Sequence, residues 1–171
     1  ANTTGIRQDI DTEFLHDFRV AVRRTRVLLQ LMKKVLQPEI VSSAADGFRR
    51  LGRATGPLRD LDVALLRYPE YQEMLPENLH SGLREIFEVL RRERAAAHRE
   101  LVARWSSDDL LAILAPWGEI LADPERALAD APKKGRKGIG RLAPKLVERQ
   151  LRNVLRSGER ALVDGDADAF H

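Results

Sequence analysis

Apolar residues recur every three or four positions along most of this chain, the period of an α-helix. No segment alternates apolar and polar residues as a half-buried strand would. The pattern predicts an all-α fold, an antiparallel helical bundle whose long helices are joined by short loops. Residues 1–10 show little periodicity and read as a loose start. A first helix is capped by Asp11 or Thr12 and runs to about Gln37, where Pro38 stops it. Its inward side is predicted to be Phe14, Phe18, Ala21, Thr25, Leu28, Leu29, Met32 and Leu36. A second helix begins near Ser42 and Ser43, turns Phe48, Leu51 and Ala54 inward, and is interrupted at Gly56-Pro57. A short helical stretch, Leu58–Leu66, follows, and Tyr68-Pro69 opens a linker to about Pro76.

A third long helix then reaches Trp105, with Leu79, Leu83, Ile86, Phe87, Leu90, Ala97, Leu101 and Val102 at core spacing. A fourth starts at Ser106–Asp109, and Pro116 kinks it or resets its start. Residues 123–140 hold two Pro, three Gly and the run Lys133-Lys134-Gly135-Arg136-Lys137, and read as a mobile basic loop. A fifth helix spans about Leu142 to Val163.

The polar positions add what the apolar ones do not. His16, Arg19, Arg23, Arg26, Gln30, Lys33 and Lys34 fall within an arc of about 100° on the first helix. Beyond Asp17 that face holds no acid. Arg141, Lys145, Arg149, Arg152, Arg156 and Arg160 form a second such stripe on the fifth helix, and Arg49 and Arg53 lie one turn apart on the second. A single basic stripe is ordinarily a solvated face, but solvated faces mix signs because opposite charges four apart stabilise each other. Two stripes nearly free of acids point instead to an anion surface, with the first and fifth helices lining it. Arg84, Arg91, Arg94 and His98 form a looser stripe, but Glu85, Glu88 and Glu93 interleave with it, so it reads as solvated.

Charge is segregated along the chain. Residues 1–60 carry 11 basic and 7 acidic side chains, residues 61–130 carry 8 and 14, and residues 131–160 carry 10 and 2. Such asymmetry suits a localised polyanion-binding surface, and the excess of Arg over Lys suits bidentate recognition of phosphate. The 171 residues suffice for one domain with a core. Cysteine is absent, which excludes a disulfide, a thiolate metal site and a cysteine nucleophile and fits the cytoplasm. No apolar run is long enough to span a membrane, and no signal peptide is visible.

The chemistry of enzymes is thin here. No Walker loop, GxSxG or HExxH occurs. His16 could serve as a metal ligand, a general acid or base, or a donor to phosphate oxygens. Without an HxxH or HxxxH pair, and among Arg19 and Arg23, the donor reading is preferred. Asp60 and Asp62, two apart, do not share a helix face, and Asp60 reads as a cap or as a holder of a neighbouring Arg rather than part of a Mg²⁺ site. Aromatic residues are sparse on the basic faces, which argues against single-stranded nucleic acid, and no element looks built to read base edges.

Two motifs carry a resemblance. His16-x-x-Arg19-Val20-x-x-Arg23-Arg24-x-Arg26 is followed by Ala54-Thr-Gly56-Pro57-Leu58-Arg59-Asp60-Leu61-Asp62-Val63. In this order and at this distance they resemble the CHAD domain, the conserved histidine α-helical domain. The resemblance implies a fold of two similar four-helix bundles about a pseudo-twofold axis. Residues 1–171 would then be a single CHAD-like domain. Residues 11–122 would be the first four-helix bundle, 123–140 the basic loop and 141–163 the first helix of the second half. The second signature helix would begin at Phe170-His171, so the second half is expected to be truncated, its remainder coming from a missing segment or a second chain.

The family resemblance also implies a function: non-catalytic binding of inorganic polyphosphate, association with polyphosphate granules, and proximity to a triphosphate-tunnel (CYTH) enzyme. No cofactor or metal is expected, although an older idea for the family had its histidines chelating metal or accepting phosphate. Alternatives are an accessory domain of a polyphosphate-processing enzyme, a non-specific nucleic-acid binder, and a scaffold whose basic face docks an acidic protein. The residues that the resemblance carries over as ligands are His16, Arg19, Arg23 and Arg26 from the first motif and Arg59 from the second. The wheel patterns add Lys33, Lys34, Arg49, Arg53, Lys145, Arg149, Arg152 and Arg156.

Overall fold

A computed structural model describes residues 2–33, 36–106, 112–123 and 139–164. Its elements are α1 (Asn2–Arg7), α2 (Thr12–Met32), α3 (Pro38–Ala54), α4 (Gly56–Leu66), α5 (Tyr68–Met74), a 3₁₀ turn (Glu77–Leu79), α6 (His80–Ser106), α7 (Ala115–Ala122) and α8 (Ile139–Asp164). There is no strand among the described residues, so the chain is all-α. No helix among them is long and apolar enough to cross a membrane.

The start of the chain is not loose: α1 occupies residues 2–7. Six residues are too few to be stable as an isolated helix or to show a period. What holds α1 is tertiary packing. Ile6 is buried in the core, and Gly5 lets the α1 backbone lie directly against the Phe14 ring. The ring of His98 on α6 sits 2.7 Å from the Ile6 carbonyl oxygen, which answers a carbonyl at the C-terminal end of α1. Asp9 then turns the chain at a left-handed φ of 51°, a conformation aspartate tolerates better than most residues. Replacing Gly5 by valine forces side-chain atoms into Phe14 and should cost about 1–3 kcal/mol, read as a lower urea midpoint.

Asp11, of the two candidate residues, caps α2, its Oδ1 accepting from the Glu13 amide at 2.9 Å. The helix ends at Met32, short of Gln37. Pro38 does not stop it but opens α3, where a missing amide proton costs nothing and the fixed φ is already helical. For the same reason Tyr68-Pro69 starts α5 inside the stretch read as a linker, and Tyr68 and Tyr71 pack on Phe87 with centroids 4.7 and 6.2 Å apart. Gly56-Pro57 does break the second helix, into α3 and α4. Pro116 falls in the first turn of α7, a reset start rather than a kink.

The core joins α1, α2, α3, α4 and α6. Its buried members include Leu15, Phe18, Val22 and Leu29 of α2, Ala44, Phe48 and Leu51 of α3, Leu58 of α4, and Leu101 and Trp105 of α6. Phe18 meets Trp105 at 5.1 Å between centroids, and Phe48 meets Trp117 of α7 at 5.6 Å. The inward face of α2 is rotated from the expected one: Leu15 and Val22 are buried, whereas Ala21 and Leu28 are exposed. Apolar residues lie on several sides of α2, and the neighbouring helices select which strip is covered. Leu79 and Ile86, expected in the core, are likewise exposed.

A buried ion network ties three elements together. Asp62 of α4 is 1% exposed and accepts from Arg94 Nε of α6 at 2.7 Å. The two Nη groups of Arg94 grip both carboxylate oxygens of Asp9 at 2.7 and 2.6 Å. Arg94 is therefore not part of a solvated stripe, and the α4 aspartate that holds an arginine is Asp62 rather than the expected Asp60, which is exposed. Burial pushes the Asp62 carboxyl above its ordinary value, against the pull of Arg94. The hydrogen bond from Arg94 holds Asp9 below its ordinary value, against partial burial.

Helix α8 starts at Ile139, three residues before the expected Leu142, so residues 139–140 belong to the helix and not to the loop. Pro144 thereby sits inside the helix, where its ring nitrogen forfeits one backbone hydrogen bond. Val147, Leu151, Val154 and Leu155 of α8 are exposed, and none belongs to the core. The predicted loop's other residues, 124–138, lie outside the described residues, as does 165–171.

Candidate anion-binding groove

The groove forms where α2 crosses the α3–α4 joint. Successive contacts run in opposite senses: Arg26 lies near Gly52, Arg19 reaches Gly52 and Thr55, and Glu13 approaches Arg59. The two segments are therefore antiparallel. Gly52 lies in the last turn of α3 and Gly56 opens α4, and both come near arginines of α2. A Cβ on Gly52 would stand 4.0 Å from Arg26 Nη1, and one on Gly56 would stand 3.9 Å from Arg19 Nη1.

Arg19 is fixed in this joint. Its Nη1 donates to the Gly52 carbonyl at 2.8 Å and to Thr55 Oγ1 at 3.0 Å. Gly52 lies in the last turn of α3, where carbonyls lack helical partners and the helix dipole favours a cation. Thr55 is fully buried and passes the chain of bonds on, its hydroxyl donating to the Leu51 carbonyl at 2.9 Å. Arg19 is thus a strut between helices before it is anything else.

Beside it lies a cavity of about 200 Å³ lined by His16, Arg19, Val20, Val22, Arg23, Arg26 and Gly52. No carboxylate and no Phe, Tyr or Trp lines it. Arg23 and Arg26 are exposed and make no ion pair among the described residues. The pairs Arg19–Arg23 and Arg23–Arg26 set like charges one turn apart, each costing about 0.2–0.5 kcal/mol. Four cation-capable side chains around one concavity, with nothing negative to offset them, can hold a multivalent anion through charge-assisted hydrogen bonds.

The other candidate residues are placed variously. Arg53 follows Gly52 on α3, is exposed and has no ion-pair partner among the described residues. Arg49, one turn before it, is paired with Asp46 at 2.8 Å. Arg59 has a side chain only 16% exposed, stands 4.0 Å from Glu13 Oε1, and leaves Nη1 without a hydrogen-bond partner. Lys33 is exposed at the C-terminal cap of α2, and Lys34 lies outside the described residues. Lys145, Arg149, Arg152 and Arg156 are on α8, where Arg152 pairs with Glu148 at 3.8 Å, and none of them lines the cavity.

Gly52 and Thr55 were not anticipated as parts of the site, and Gly56 was seen only as a helix breaker. Among the described residues no three of His, Asp and Glu cluster to hold a metal ion.

The model of one family, the CHAD domain, matches residues 1–171, the whole chain. No curated protein matches it.

Proposed function

Since the chain belongs to the CHAD domain family, we propose that it is a non-catalytic module that binds inorganic polyphosphate in the groove between α2 and the α3–α4 joint. The observation that carries this reading is the cavity lined by His16, Arg19, Arg23 and Arg26 with no acid and no Phe, Tyr or Trp on its walls. Polyphosphate is a flexible chain bearing about one negative charge per unit and nothing to stack, so arginine forks alone suffice to hold it. A nucleic-acid strand would gain little from walls without aromatic residues. Arg53 beyond Gly52 and Lys33 at the end of α2 extend the positive surface along the chain's path.

The test is calorimetric titration of the full chain with long-chain polyphosphate at two salt concentrations, with orthophosphate and duplex DNA as controls. Binding should be submicromolar, confined to polyphosphate, and steeply weakened by salt through counterion release. Equal affinity for duplex DNA would favour a general polyanion binder. Release of phosphate on adding Mg²⁺ and polyphosphate would make it an enzyme instead. The same reading makes a triphosphate-tunnel enzyme and polyphosphate granules its natural surroundings, which co-purification from cells rich in polyphosphate would test.

A further inference from the structure

We propose that occupation of the groove by polyphosphate draws a proton onto His16, so that binding is linked to pH. This rests on the reading of the groove as a polyphosphate site and adds its regulation.

His16 differs from the other described histidines. The His80 ring lies 2.9 Å from the Leu75 carbonyl oxygen and the His98 ring 2.7 Å from that of Ile6, so both have backbone partners. His16 is half-buried, lines the cavity, and has no hydrogen-bond or ion-pair partner among the described residues. It is an open position in a wall otherwise made of arginine.

The charged groups around it come from three elements. On α2 these are Arg19, Arg23 and Arg26 in the same cavity, Asp17, which is exposed, and Glu13 one turn earlier. From α4 comes Arg59, 4.0 Å from Glu13, and from α3 Arg53 beside Gly52. Helix α1 packs elsewhere on α2, Gly5 against Phe14, and Asp9 in the turn after it is held by Arg94. The groove wall thus offers His16 no carboxylate of its own, and a bound phosphate oxygen supplies the missing negative partner.

An anion at hydrogen-bond distance favours the charged imidazole, and imidazole is the side chain whose charge changes between about pH 5 and pH 8. Each unit by which the ligand displaces that equilibrium is worth about tenfold in affinity. The arginines stay charged throughout, so any proton linkage within the groove belongs to His16.

The experiment is calorimetric titration of the full chain with long-chain polyphosphate, in two buffers of different ionisation heat and from about pH 5.5 to 8. The unmodified protein should take up protons on binding and bind about tenfold more tightly at the acid end. His16→Gln should bind at the weaker level at every pH without that uptake. His16→Arg should bind at the stronger level, again without it. His80→Gln should behave as the unmodified protein does. Protons taken by the ligand's own end groups are common to all four and cancel. Binding without uptake in the unmodified protein, or uptake unchanged in His16→Gln, would overturn the linkage while leaving the groove intact. Absence of polyphosphate binding at every pH would instead overturn the groove reading itself.

Discussion

Replacing Arg23 and Arg26 together by alanine is expected to weaken polyphosphate binding about a hundredfold while leaving the fold as stable as before. Both side chains are exposed on the cavity wall and have no partner among the described residues, so neither does structural work. A hydrogen bond to a charged group contributes about 1.5–3 kcal/mol, and 1.4 kcal/mol is tenfold in affinity. The slope of log affinity against log salt should flatten by roughly two, since two fewer counterions are released. Thermal unfolding should shift slightly upward, because a repulsion between like charges one turn apart is removed. Arg19→Ala is the less informative variant, since it also removes the bonds to Gly52 and Thr55 and destabilises the joint. Arg104→Ala, on α6 and outside the cavity, should leave binding unchanged. Unchanged affinity in the Arg23/Arg26 double variant would sink the site assignment.

The largest effect on stability is expected from Arg94→Met. It strands Asp62, which is 1% exposed, without its hydrogen-bonded counter-charge and with only the weaker pull of Arg59, and removal of one partner of a buried pair costs about 3–5 kcal/mol. The pH dependence follows from the two aspartates, whose shifts have opposite signs. Asp62 is raised by burial, so folding disfavours its anion. That cost is present above its folded-state value and disappears as pH falls toward the ordinary value of 3.8. Asp9 is lowered by Arg94, so its contribution is full above 3.8 and is lost only as pH falls through its depressed value. In Arg94→Met the Asp62 cost grows and the Asp9 gain vanishes. The gap between variant and unmodified protein should be widest near neutral pH and narrow in acid, as measured by urea unfolding at several pH values. Adding Asp62→Leu to Arg94→Met should recover much of the loss, because the stranded charge is gone. A double variant no more stable than the single one would show that the network is not the source of the cost.

The groove was partly legible in the sequence because one wall of it is a single helix face. His16, Arg19, Arg23 and Arg26 recur at intervals of three and four, and any α-helix brings such positions together. The opposite wall was not legible. Arg19 meets Thr55 across 36 residues and Arg94 meets Asp9 across 85, and no local pattern relates positions so far apart. Arg94 was misjudged for that reason. Glutamates interleave with its stripe on α6, which made it look solvated, whereas its neighbours in space are Asp9 and Asp62. The prolines misled in a different way. Pro38 and Pro69 disrupt helix continuity equally well as a stop or as a first residue, and only the direction in which the chain leaves decides between them.

By itself the sequence determined that the chain is helical, where α3 breaks from α4, and that α2 carries a cationic face free of acids beyond Asp17. These follow from period, from glycine and proline, and from charge spacing, all of which act within a few residues. Only the tertiary structure decided which strip of α2 is buried, that residues 2–7 are helical, and that Gly52, Gly56 and Thr55 seat Arg19 and Arg26 to shape a groove. The reason is that α2 has more apolar surface than its partners cover. The choice among faces is made by the energy of packing against α1, α3 and α4, which no single helix encodes.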